Sequence, residues 1–365
     1  MDTWIGLVFL VIGMNIASLF MGRKWISILA FLLLLIVTIV SAIRSNIGED
    51  YSGYIPLFLI CDVSNEILPY PEISFQILTT LIKKYELGYQ CMFAFYSIFI
   101  GCFIWESAKL YTKDRKYILL FISLWVVSAF DIGWWYSMNV IRQYLAVAVL
   151  LYAYRYLIEN NTGKYIVWCL VASFIHISAL LMLLLPLLIK INIRKATYLA
   201  FVFIAVILSF THYKYIWVEW IISSLGIYES YVGFVPGDTS TSLGLSSYFF
   251  LFQFLFLINK LQWSRKDEYV LGVIISLCTI MKFILVRPYS RMTAYFSVVF
   301  IAAWIVMLCQ HRIKQKALLI VMIMLFYSAS FLYSIDVTQH GHEADARPSA
   351  GNITYEVNMN FFDDR

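Results

Sequence analysis

Arg142 heads an apolar segment, S-M-N-V-I-R-Q-Y-L-A-V-A-V-L-L-Y, whose first turn also carries Asn139 and Gln143. A cation near a helix N-terminus opposes the macrodipole, and facing hydrocarbon it costs roughly 2.5–3.5 kcal/mol on insertion scales. Two arrangements relieve that cost: snorkelling to headgroups, or an anion held in a pocket. The pattern returns late in the chain as Arg287-Pro288-Tyr289-Ser290-Arg291. Pro288 suits the first helical position, so open backbone N–H groups and two guanidinium groups meet at one helix start, which is phosphate-binding chemistry. Lys282, late in the preceding segment, adds positive potential. A lone arginine reads as snorkelling. Arg44, Arg142, Arg287 and Arg291, all assigned below to one face of a membrane, read together as an anion site.

The candidates for proton transfer are fewer. His176 sits in the apolar run F-I-H-I-S-A-L-L, where it is either a hydrogen-bonded packing residue or a group that donates to phosphate or takes a hydroxyl proton. Asp50 and Glu72 are the carboxylates suited to general-base work on an incoming hydroxyl. Glu49 and Asp50 are adjacent, but one acidic pair without a second cluster is weak support for a divalent metal, and Gly48, Asp50, Tyr51 and Tyr54 also fit plain turn chemistry. The chain has no Walker A loop, no G-x-S-x-G elbow and no H-E-x-x-H. A transfer reaction here would use a pre-activated, membrane-borne donor and no cofactor.

The elements that must position these residues are membrane helices. Of 365 residues 62% are hydrophobic and 13% charged, against about a quarter charged in a soluble domain. Apolar stretches recur from end to end, which predicts an all-α, polytopic integral membrane protein with spans near 3–21, 25–43, 89–109, 117–133, 138–157, 197–212, 245–259, 269–286, 290–309 and 317–335. The first segment lacks a basic n-region and a small-residue cleavage site, and reads as a retained helix. The net charge of +5 reads as topology and not as a nucleic-acid surface. Six scattered cysteines without C-x-x-C spacing indicate neither zinc nor a disulfide framework.

Segment 165–189 decides the orientation. It is long, with His176 near its centre and Pro186 near its end. Read as a re-entrant pair of short helices, it leaves most of the 27 basic residues, among them Arg23, Lys113, Lys116, Arg155, Lys164, Arg194, Arg265, Arg312 and Lys316, on the cytoplasmic side. Read as a single crossing, it divides them almost evenly. The positive-inside rule favours the hairpin. Arg44, Arg142, Arg287 and Arg291 then lie at the extracytoplasmic face with His176 near the tip of the re-entrant pair. Irregular backbone at membrane depth needs a protein or water-filled surround, so an outward-opening cavity is expected. Residues 1–335 form one transmembrane domain with outer loops 44–88 and 213–244. The second loop's Tyr and Trp residues suit interfacial anchoring more than sugar stacking. Residues 336–365 are a polar, acidic tail, and no internal repeat is found.

Four pieces in order, R-S-N-I-G-E-D-Y-S-G-Y, N-V-I-R-Q-Y-L-A, F-I-H-I-S-A-L-L and R-M-T-A-Y-F, resemble the EpsG-like branch of the Wzy-type polysaccharide polymerases, roughly over residues 40–300. The resemblance implies a GT-C-like architecture and polymerisation of oligosaccharide repeat units carried on undecaprenyl diphosphate, at the outer face of a bacterial cytoplasmic membrane. It implies lipid-linked donor and acceptor and a chain-length regulator as partners. Its motif residues fall on Arg44, Gly48, Asp50, Tyr51, Tyr54, Glu72, Asn139, Arg142, Gln143, His176, Arg291 and Tyr295; Arg287 is added on physical grounds. Arg142, His176, Arg291, Asp50 and Glu72 are then the catalytic candidates, and Arg44, Tyr51, Tyr54, Asn139, Gln143, Arg287 and Tyr295 the substrate-binding ones. Two other functions fit a cationic site: a flippase or transporter of the same lipid-linked oligosaccharide, which would spread its charges through both halves of the membrane, and a glycan ligase.

Overall fold

The computed structural model describes residues 2–45, 47–48, 50–64, 66–68, 70–211, 245–285, 289–345 and 356–357. Arg287 and the loop 213–244 lie outside the described residues. The chain forms two compact units, Met1–Leu183 with Leu308–Arg365, and Leu184–Met307.

The first unit contains α1 (Asp2–Ser18), α2 (Arg23–Ile43), α3 (Tyr51–Ile60), α4 (Ile73–Lys84), α5 (Gln90–Tyr111), α6 (Ile118–Val126), α7 (Trp134–Asn139), α8 (Ile141–Ile158) and α9 (Thr162–Ile175). The second contains α10 (Leu185–Lys190), α11 (Lys195–Ser209), α12 (Leu245–Lys260), α13 (Lys266–Ile284), α14 (Ala294–Ser297) and most of α15 (Val299–Gln310). The last helix, α16 (Lys316–Asp345), returns to the first unit and runs well past residue 335. Beyond it, Glu356–Val357 pairs antiparallel with Arg44–Ser45. Among the described residues four runs are long and apolar enough to cross a membrane: Arg23–Ile43, Gln90–Tyr111, Arg291–Gln310 and Lys316–Asp336. Shorter apolar helices accompany them.

The helices divide by what surrounds them. Every residue of α6 is buried, and so is nearly all of α8, the mark of helices enclosed on all sides. α2, α5, α9 and α11 instead expose large apolar side chains, among them Phe31, Phe99, Phe174 and Phe203. A surface of that kind is untenable in water and natural in lipid; the chain is a membrane protein. Lipid tails are as apolar as leucine, so helix contacts depend on close fit. Gly101 of α5 is an example: a Cβ there would meet Thr38 Oγ1 of α2 at 2.7 Å.

Two features of the first unit set up its chemistry. Arg23 lies 3.7 Å from Asp114, Lys116 pairs with Asp114 at 3.0 Å, and Lys316 lies over the Tyr117 ring, so these basic residues share one end. The 21 residues of α2 carry the chain about 32 Å from there to Arg44, where Gln90 of α5 donates to the carbonyls of Ala42 and Arg44. The second feature is a reversal. α9 stops at Ile175, His176 is extended (φ −150°, ψ 116°), and a 3₁₀ run follows over Ile177–Leu184. Tyr165 in α9 donates through its hydroxyl to Met182 O at 3.0 Å. Straight continuation would separate those residues by roughly 25–30 Å, so the chain doubles back at His176, as the re-entrant reading of 165–189 expects. Its first helix begins earlier than expected, at Thr162.

Two expected spans have different limits. The segment 117–133 is helical only to Val126; a turn with Phe130 at φ 58° leads into the short α7. The segment 138–157 starts its helix at Ile141 because α7 ends at Asn139. The loop 44–88 holds two helices, α3 and α4.

Candidate functional site

The site is built where α8 begins and α9 ends. Their connection is short, so the two helices run antiparallel, and α9 rises back toward the level of Arg142 before breaking at His176. The third contributor is Glu72, at the N-cap position of α4. One Glu72 oxygen, Oε2, accepts from Arg142 Nη1; the other, Oε1, lies 2.9 Å from His176 Nδ1 and faces the Ile177 backbone N–H at 3.4 Å. A single carboxylate thus bridges a guanidinium and an imidazole. The Glu72 and Arg142 side chains are 11% and 7% exposed, that of His176 20%. His176 thus turns its Nδ1 edge toward Glu72.

Arg142 is further enclosed. Nη2 donates to the Tyr70 hydroxyl at 2.6 Å, and its guanidinium lies 5.0, 5.2 and 5.7 Å from the rings of Tyr70, Phe75 and Tyr54, within cation–π range. Its Nε is buried with no hydrogen-bond partner among the described residues. Burial by itself would push the Glu72 carboxyl up, but the hydrogen bond from His176 and the positive charge of Arg142 outweigh it and hold that carboxyl down at about 2. Both neighbours favour the ionised form of Glu72.

The turn that presents Glu72 is held from inside α4. Gln76, 1% exposed, accepts from Leu68 N at 2.9 Å and donates to Leu68 O at 2.8 Å and Pro71 O at 2.6 Å. Lys83, at the other end of α4, donates to the carbonyls of Leu59 and Cys61 at the close of α3. Neither Gln76 nor Tyr70 was singled out as a site residue by sequence reasoning. The available signal was the spacing Tyr70, Glu72, Gln76: Glu72 and Gln76 stand one helical turn apart, with the loop between two prolines just before them.

The other candidates fall in three places. Arg44 is fully buried; it donates to Ser41 O and, at 3.0 Å, to Met138 O, and lies 4.6 Å over the Phe93 ring. Tyr51 stacks on Phe93 at 4.8 Å, and Tyr54 meets Phe93 edge-on. Phe93 is therefore shared between the Arg44 group and the Arg142 group. Asp50 stands at the N-cap position of α3, and its carbonyl accepts from Gly53 and Tyr54. Asn139 packs on Gly48: that glycine has φ +101°, and a Cβ on it would come within 2.4 Å of Asn139 Oδ1. Gln143 is buried beside Arg142. Arg291 and Tyr295 belong to the second unit, where Arg291 is exposed on a 3₁₀ turn and Tyr295 fully buried; Lys282 there lies 4.8 Å over the Phe250 ring. Among the described residues no group of three or more His, Cys, Asp or Glu side chains is placed to hold a metal ion.

The geometry brings together a guanidinium, a carboxylate and an imidazole within contact of one another, which are groups of the kind that act on a hydroxyl beside an anion. In comparison with known proteins, the model of the EpsG family matches residues 27–345. No curated protein and no solved structure matches the chain.

Proposed function

We infer the function from two facts: the chain belongs to the EpsG family, and Glu72 bridges Arg142 and His176 at one end of the first unit. Membership points to a polymerase role in polysaccharide biosynthesis. Our finer reading is that the protein extends a glycan from repeat units carried on undecaprenyl diphosphate, at the outer face of the bacterial cytoplasmic membrane. We propose about ten spans with a re-entrant pair at 165–189, in a GT-C-like arrangement.

The proposed step is a glycosyl transfer. The acceptor sugar hydroxyl attacks the anomeric carbon of the donor; a C–O bond forms to the acceptor as the C–O bond to the lipid diphosphate breaks. The hydroxyl proton goes to His176 Nε2, and the electron pair of the broken bond leaves with the diphosphate. Glu72 fixes the ring through Nδ1 and stabilises the imidazolium, the part a buried carboxylate plays beside a catalytic histidine. Arg142 supplies the positive charge that faces Glu72. Arg287 and Arg291 are proposed as additional cations for the diphosphate, as Arg142 is largely committed to Glu72.

The bridging Glu72 carries this reading. The test is purified protein incubated with a defined lipid-diphosphate oligosaccharide, with product length read on a gel. A ladder of lengthening products is expected, together with a loss of about 10²–10⁴-fold in rate for His176→Ala. A single addition without a ladder would mean a ligase, and full activity in His176→Ala would remove histidine from the mechanism.

A further inference from the structure

We propose that α4 is not a solvent-exposed loop helix but lies in the leaflet at the Arg44 end, its outer face covered by lipid acyl chains, as a side wall between the bilayer and Arg142. α4 buries one face and exposes another that is apolar up to Lys84 in its last turn. Phe75, Thr79 and Ile82 are buried with Gln76. On the opposite side Ile73, Ile77 and Leu81, one turn apart, are 39%, 39% and 48% exposed. A helix with water on one side would be polar there.

What covers that second face follows from its neighbours. α4 packs against both α5 and α9, and α8 packs against the same two helices. α4 therefore bridges α5 and α9 in front of the start of α8, where Arg142 sits. Both flanking helices carry exposed aromatics, Phe99 on α5 and Phe174 on α9. α5 is long and apolar enough to cross a membrane, which assigns its exposed aromatic face to lipid, and the α4 stripe continues that surface. Glu72, at the N-terminal end of α4, then sits at headgroup depth, with Arg142 and His176 behind it. The position of α4 follows from packing and does not rest on the polymerase reading. Its consequence does: a lipid-linked diphosphate reaches Glu72 sideways, without leaving the bilayer.

Photo-crosslinking tests it on the full-length protein in native-lipid nanodiscs. Benzoyl-phenylalanine replaces Ile77 or Leu81, with Phe99 as the lipid-facing reference and Ser64, exposed in the α3–α4 turn, as the aqueous one. Irradiation is expected to give phospholipid adducts by intact-mass spectrometry at 77 and 81, with a yield comparable to that at 99, and none at 64. Lipid adducts at 99 but not at 77 and 81 would overturn the proposal. So would a covalent dimer at 77 and 81, which would make the face a contact with a second copy of the chain. Two sites on α4 guard against one misfolded variant, and glycan extension measured on the same samples separates this outcome from the fate of the polymerase reading.

Discussion

Glu72 carries two obligations at once, and its replacement separates them. Glu72→Gln keeps the size but removes the charge that Arg142 needs in a site only 7% exposed. Leaving a buried guanidinium without its counter-charge costs on the order of 3–5 kcal/mol, so a large fall in the denaturation midpoint in detergent is expected. Arg142→Ala does the converse, and the double substitution should cost less than the sum, measured as a double-mutant cycle. Additive losses would mean that the pair is not energetically coupled. pH dependence follows with a definite sign. The Glu72 carboxyl is held at about 2 when folded, against an unfolded value near 4.3. Its stabilisation is complete above that unfolded value and is lost as pH falls from there toward 2, an effect of about 3 kcal/mol at most. Thermal midpoints taken between pH 6 and pH 3 should fall more steeply for the parent than for Glu72→Gln; parallel curves would place the acid sensitivity elsewhere.

Helix limits decide which side chains meet. α8 and α9 are joined by a tight turn at Glu159–Asn161, with Asn160 at φ 58°. Counting back from that turn, Arg142 and His176 lie nearly equal numbers of residues away, so an antiparallel pair brings them to one level. The turn at Gly48 and the end of α7 meet at a different constraint. Gly48 combines a positive φ with a backbone pressed against Asn139 and the Met138 carbonyl. Gly48→Ala is expected to cost more than about 1 kcal/mol, from strained backbone plus the collision with Asn139; an unchanged midpoint would show that this turn yields freely. At Gly101 the demand is only closeness. Gly101→Leu should force α2 and α5 apart at Thr38, read as lost stability in detergent, whereas Gly101→Ala needs only a turn of the threonine hydroxyl and should be far milder.

The first unit as a body has two chemically distinct ends: Arg23, Lys116 and Lys316 gather at one, and Arg142, Glu72 and His176 at the other. One bilayer thickness of α2 separates them, and the positive-inside rule assigns the basic end to the cytoplasm. Single cysteines at Ser64 and Arg312 test this in a background lacking the native cysteines. A membrane-impermeant thiol reagent applied outside intact cells should label position 64 and spare 312. The reverse pattern would invert the protein and put the proposed chemistry on the wrong face for a lipid-linked polymerase.

Composition and periodicity were enough to show that the chain is helical and membrane-bound, because hydrocarbon demands long apolar runs and tolerates few charges. They also pointed to Arg142 and His176, which stand in apolar runs, whereas Glu72 was one of two outer-loop carboxylates, named beside Asp50. The helix break within 165–189 was legible too, from a histidine at the centre of a long apolar segment and a proline near its end. What reading along the chain could not supply was the partner of each charge. Arg142 and Glu72 are 70 residues apart and Glu72 and Ile177 105, and apolar periodicity says which face of a helix is buried but not what lies against it. The early end of α6 escaped as well: Ser128, Asp131 and Gly133 are poorer helix formers than Ile118–Val126, but residues 127–133 are nearly as buried as the helix before them and read as its continuation. Only packing made one carboxylate meet both a guanidinium and an imidazole, because residues this far apart in the chain come together only once the helices that carry them are packed.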